Sequence, residues 1–134
     1  MMRYNLGFKS IPNPEQYEWF IRTRPDLIIN DFDINLETLD KTSVHSRLRK
    51  SIHTLHKYEC SCHFCQKTNI DIMDDQFFIV HRNIATKAFS TTRGNKPITF
   101  DKIKDNWNEH LITYMNMSHG IPIKKLKLNS HIVR

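Results

Sequence analysis

The chain has 134 residues, 39% of them hydrophobic and 25% charged, with 3 Gly and 5 Pro, a balance that supports one globular core and excludes a disordered or low-complexity chain. Its longest apolar runs, Leu27-Ile28-Ile29 and Phe77-Phe78-Ile79-Val80, are too short to cross a bilayer, and no apolar export segment follows Met1-Met2-Arg3. A membrane-spanning helix is thereby excluded, and a single cytoplasmic domain over 1–134 is expected. The net charge of +6 is uneven: residues 1–40 carry 4 basic and 7 acidic side chains, 41–67 carry 6 and 1, and 68–134 carry 10 and 6.

In chain order, Tyr4 to Ile11 alternates as a first strand, and Asn13-Pro14-Glu15-Gln16 supplies an N-cap, a proline at N1 and a capping-box Gln. A helix to about Thr23 follows from the spacing of Tyr17, Phe20 and Ile21, and Leu27 to Ile34 reads as a strand. From about Thr42 to Lys57, the spacing of Val44, Leu48, Ile52 and Leu55 predicts a helix whose other faces carry Arg47, Arg49, Lys50 and Lys57. Ile70 to Ile72 and Gln76 to Ile84 then form a hairpin around a Met73-Asp74-Asp75 turn. Ala85 to Pro97 is a polar, basic loop. Thr99 caps a long helix to about Ser118, with Phe100, Ile103, Trp107, Leu111 and Tyr114 on one stripe and Gly120 at C′. Ile123 to Val133 is a basic terminal strand. The expected fold is α+β: a small mixed sheet with three helices and a zinc knuckle between the second helix and a β-hairpin.

Every cysteine lies in one short segment, Cys60-Ser61-Cys62-His63-Phe64-Cys65. An odd count in a chain without an export signal argues against disulfides. Cys62-x-x-Cys65 has the spacing at which a tight turn lets two thiolates grip one tetrahedral zinc ion, and Cys60 with His56 completes four ligands. His53 or His81 are the other candidates for the fourth position. The zinc-binding segment, about 53–81, is thus embedded in the domain.

The basic balance favours a polyanion. Arg47, Arg49, Lys50, Lys57, Arg93, Lys96, Lys124, Lys125 and Lys127 are the candidate phosphate contacts of a non-enzymatic nucleic-acid-binding or regulatory protein. The acidic stretch from Asp26 to Asp40 is expected to face away from the nucleic acid or to meet a basic partner. Over about residues 58–112, a Cys-x-x-Cys knuckle, a strand ending in His81, a polar loop and a helix carrying Asn106 and His110 loosely resemble the ββα-metal nucleases of the HNH type. The resemblance implies His81 activating water and the helix side chains holding a divalent ion. The non-enzymatic reading is preferred, because His81 equally suits a strand packed beside Phe77 or Ile79. Heavy use of Ile, Asn and Lys, whose codons are A/T-rich, and the dipolar charge distribution also fit a phage or viral protein that docks onto a larger host protein.

Overall fold

The computed structural model describes residues 2–50, 71–90 and 108–133. Among these, the order is helix α1 (Met2–Lys9), strands β1 (Trp19–Thr23), β2 (Leu27–Asp31), β3 (Val44–Lys50) and β4 (Asp71–His81), helices α2 (Arg82–Ala88) and α3 (Asn108–Ser118), then β5 (Ile123–Lys125) and β6 (Asn129–Ile132). A four-stranded sheet has the order β1-β4-β3-β5, and β2 pairs with β6 in a second, two-stranded sheet. The β3–β5 pair is parallel and the others are antiparallel, so the larger sheet is mixed, as expected for the α+β class.

The centre is β4, buried from Ile72 to His81. Its two faces build two cores. Phe78 and Val80 join Phe20, Val44, Ala85, Ala88, Phe89, Ile112 and Ile121, with Phe8 and Ile11 packed on the margin. Phe77 and Ile79 meet Leu126, with Trp19, Leu27, Ile29 and Leu39 around them. A strand buried on both faces reads as a continuous apolar run, which is how Phe77 to Val80 stands in the sequence.

Several local expectations are corrected. The strand expected from Tyr4 is helix α1 as far as Lys9, with Phe8 of its last turn packed against the core. The helix expected from Pro14 is a 3₁₀ turn over Pro14–Gln16, after which Tyr17 is extended and β1 begins at Trp19. The basic helix expected from Thr42 is strand β3 over Val44–Lys50. Its Val44 and Leu48 are four apart, a spacing that suits one face of a helix or of a strand equally well. The expected hairpin around Asp74 is one strand, β4, carrying an irregularity: Ser46 faces Phe78 and Leu48 faces Met73, so a step of two on β3 spans five on β4. Asp74 to Phe77 bulge there, which returns Met73 and Phe78 to the same core.

The expected terminal strand is two strands in different sheets, and α2 occupies the start of the expected polar loop. The described end of the long helix agrees with expectation. Ile121 N–H donates to Asn116 C=O at 2.9 Å and Gly120 N–H to Met117 C=O at 3.0 Å, a Schellman closure with Gly120 at φ 69°.

Because Lys50 faces Asp71 across the β3–β4 pair, residues 51–70 connect two adjoining strand ends. His53, His56, Lys57, Cys60, Cys62 and Cys65 all belong to that connection and lie outside the described residues, as do Arg93, Lys96 and Asn106. The cysteine cluster therefore falls between two paired strands, not between a helix and a hairpin.

Candidate functional site

Strand β5 accompanies β3 only from Val44 to Ser46, and the last bond between them runs from Leu126 N–H to Ser46 C=O at 2.8 Å. Beyond it the chain turns away to pair with β2 as β6. The gap left beside β3 is an open groove of about 630 Å³, lined by Asp31, Asp33, Arg47, Leu48, Lys125 to Leu128 and Asn129. Leu126 is buried while Lys125 and Lys127 are exposed, so the lysines share the solvent side, about 7 Å apart in extended chain. Asp31 and Asp33 are exposed as well, which places part of the acidic stretch in the same groove as the lysines.

Arg47 lies at the back of this groove, and its role differs from the predicted phosphate contact. Its Nε donates to Asp74 Oδ2 at 2.7 Å, and Nη2 donates to the same oxygen and to Gln76 Oε1 at 2.7 Å. Nη1 donates to Ser130 Oγ at 2.7 Å. The guanidinium fork thus joins β3, the β4 bulge and β6, and it compensates a carboxylate with no solvent exposure. Asp74 in turn accepts the Gln76 N–H at 3.0 Å. Asp74, expected in a turn with Met73 and Asp75, is thus held inside a buried strand by an arginine 27 residues away.

Lys124 is likewise engaged. Its Nζ lies 2.7 Å from Asp40 Oδ2, which also accepts from Ser43 Oγ, while Thr42 N–H and Oγ donate to Oδ1. The Lys124 ammonium first, and then the Thr42 and Ser43 donors, hold the Asp40 carboxyl well below the usual carboxylate range. A depressed native value contributes stability that is complete above the ordinary carboxylate range, about pH 4, and is lost as the pH falls toward the native value. Asp40→Asn should therefore flatten the acid side of the stability profile. Urea midpoints taken from about pH 5 to pH 2 in both proteins check this, and parallel profiles would contradict it.

Two histidines are buried near the same end of the sheet, and the chemistry of their partners fixes their tautomers. His45 Nε2 lies 2.9 Å from the Asp40 carbonyl, which only accepts, so the proton is on Nε2. His81 caps α2: its Nδ1 accepts the Asn83 N–H at 3.2 Å, leaving Nε2 to donate to Glu18 Oε1 at 3.3 Å. Lys41 Nζ donates to the same Glu18 oxygen at 2.6 Å, and the Trp19 ring meets the His81 ring edge to face. The Lys41 bond and then the His81 bond lower the Glu18 carboxyl. His81 is thus a strand-end residue packed beside Trp19 with a capping role, and only 3% of it is exposed.

Among the remaining predicted site residues, Arg49 and Lys50 are placed by backbone at the end of β3, and His110 by backbone in α3. Ser130 and Glu18 carry no signal in the sequence, whereas Asp31, Asp33 and Asp40 belong to the acidic stretch that stands out there. Among the described residues, no group of three His, Cys, Asp or Glu side chains is placed to hold a metal ion, and no helix is long and apolar enough to cross a membrane.

Compared with protein-family models, curated proteins and solved structures, the chain matches none.

Proposed function

We propose that this chain is a non-enzymatic nucleic-acid-binding protein that grips a single strand in the groove beside β3 and β5. The carrying observation is the pair of exposed lysines, Lys125 and Lys127, on one wall of an open groove in a chain of net charge +6. Two cations at this spacing follow successive phosphates of an extended strand and release their counterions. Asp31 and Asp33, which line the same groove, favour a single strand over a duplex. A duplex would press phosphates toward Asp31 and Asp33, whereas a single strand can lay its backbone on the lysines and turn base amines toward those carboxylates, which only accept. Asn129, with both donor and acceptor, stands at the same end.

Binding of fluorescent single-stranded DNA and RNA at low salt tests this reading. The Lys125→Glu/Lys127→Glu variant should bind at least about tenfold more weakly at low salt, and each lysine should carry about one unit of the slope of log affinity against log salt. Equal binding by wild type and variant would remove the groove from the account.

In the same proposal, Cys60, Cys62, Cys65 and His56 hold one zinc ion within the connection between β3 and β4. The reading rests on ligand chemistry and spacing: three thiolates and an imidazole within ten residues suffice for a closed tetrahedral site. Elemental analysis of untagged protein should give one zinc per chain, and the three thiols should resist alkylation until a chelator is added. Metal-free protein with three freely reacting thiols would contradict it. A nuclease role draws no support from the described geometry, in which the His81 ring is enclosed between Trp19 and Glu18 and spends Nδ1 on the cap of α2.

A further inference from the structure

The outer edge of β1 is a surface that the nucleic-acid reading does not use. Among the described residues, β1 ends the four-stranded sheet and pairs there with β4 alone. Its register with β4 is unbroken from Trp19–His81 to Thr23–Phe77. Flanking bonds run from Arg82 N–H to Glu18 C=O at 2.8 Å and from Arg24 N–H to Gln76 C=O at 3.1 Å. Bonding in an antiparallel pair alternates, so Glu18, Phe20, Arg22 and Arg24 share the phase that faces β4. The backbone N–H and C=O groups of Trp19, Ile21 and Thr23 consequently point outward, and among the described residues no strand pairs with them. Ile21 is 45% exposed. The strand carries no proline or lysine of the kind that blunts an open edge. Beside it lies a hollow of about 370 Å³ whose apolar lining includes Phe8, Ile11, Phe20 and Phe89.

We propose that this edge is the interface between two copies of the chain, joined through antiparallel β1 strands about a twofold axis at Ile21. The strand is complementary to itself in that register. Ile21 faces Ile21 of the second copy, Trp19 faces Thr23, Phe20 faces Arg22, and Glu18 faces Arg24. Ile21 with Ile21 is apolar, Trp19 with Thr23 sets an aromatic against a β-branched side chain, and Glu18 with Arg24 is opposite in charge, combinations that stabilise cross-strand contacts. All three outward-facing residues find partners. Neighbouring registers fare worse: shifting the axis to Arg22 sets like charges face to face, and shifting it to Phe20 leaves Thr23 unpaired with an outward-facing residue. Glu18 and Arg24 keep their intrachain partners Lys41 and Asp26 and are 52% and 39% exposed, so the second copy extends two existing ion pairs. A twofold contact of this kind closes on itself and leaves no further edge of β1 to recruit a third chain.

Sedimentation equilibrium of the full chain tests the proposal. Wild type should show twice the 16.0 kDa chain mass, and Ile21→Lys and Thr23→Pro should each show the single mass with an unchanged far-UV spectrum. The N–H of Thr23 faces outward, so proline there removes no bond to β4. A wild-type mass of one chain, or a dimer that survives either substitution, overturns the interface. Should a variant unfold, amide exchange of the wild type decides: protection of Trp19, Ile21 and Thr23 that rises with protein concentration supports the interface, and protection independent of concentration overturns it.

Discussion

Arg47→Ala is expected to lower the unfolding free energy by about 3 kcal/mol, the lower part of the range for breaking a buried ion pair from one side. The loss comes from what is left behind rather than from the bond itself. Asp74 has no solvent exposure and loses the guanidinium that compensates its charge, while Gln76 Oε1 and Ser130 Oγ lose a donor. β6 also loses its tie to β3. Arg47→Lys should recover only part, because an ammonium cannot span Asp74, Gln76 and Ser130 with the geometry of a planar fork. A double-mutant cycle with Asp74→Ala should show a coupling of about 1–3 kcal/mol. Urea unfolding measures the wild type and the four variants, and a cost below about 1 kcal/mol for Arg47→Ala would show that water replaces the clamp.

Phe78→Ala is expected to cost as much or more, about 3–5 kcal/mol. The Phe78 side chain is fully buried in the middle of β4, in the core formed by that face of the sheet with α2 and α3, and its ring lies 5.4 Å from that of Phe89. Phe89 in turn stacks on Phe8 at 4.9 Å, so the aromatic column fastens α1 as well. The cavity is hard to close because its neighbours are held by hydrogen bonds: Met73 N–H donates to Thr113 Oγ at 2.8 Å and fixes β4 against α3. Phe78→Leu should lose markedly less, since most of the volume is kept. Thermal or urea unfolding of both variants separates the two, and equal losses would show that the site collapses around either side chain.

These two residues mark where the sequence was legible and where it was not. The apolar run Phe77 to Val80 is legible as strand, expected in one arm of a hairpin, and the structure places it in an inner strand of the sheet buried on both faces. Gly120 announces the end of α3 because few other residues adopt a positive φ there without strain. β3 was hidden by periodicity. Val44 and Leu48 satisfy both templates, and what decides for a strand is tertiary pairing with β4 and β5, which local spacing does not carry. Met73-Asp74-Asp75 was hidden by the polarity of its aspartates, which have the composition of a turn, while Asp74 is held inside by an arginine 27 residues away.

The candidate site shows the same division. The lysines Lys124, Lys125 and Lys127 were visible as a charged run, but the sequence had no means to separate Lys124, which is spent on Asp40, from Lys125 and Lys127, which line the groove. Arg47 looked like one more surface cation. The acceptors Asp74 Oδ2, Gln76 Oε1 and Ser130 Oγ lie 27 to 83 residues downstream, so the clamp comes into view only once β3, β4 and β6 are assembled. His81 stood out as a strand-end histidine, and its partners Glu18, Trp19 and Asn83 explain it as a cap and a packing residue.

The most direct test is a salt series of single-stranded and duplex oligonucleotide binding, with wild type and the Lys125→Glu/Lys127→Glu variant side by side. Wild type should prefer the single strand, lose affinity linearly on a log–log plot as salt rises, and show a slope steeper than the variant's by about two units, one for each lysine. No measurable binding of either oligonucleotide at the lowest salt, where the electrostatic attraction is greatest, would contradict the account.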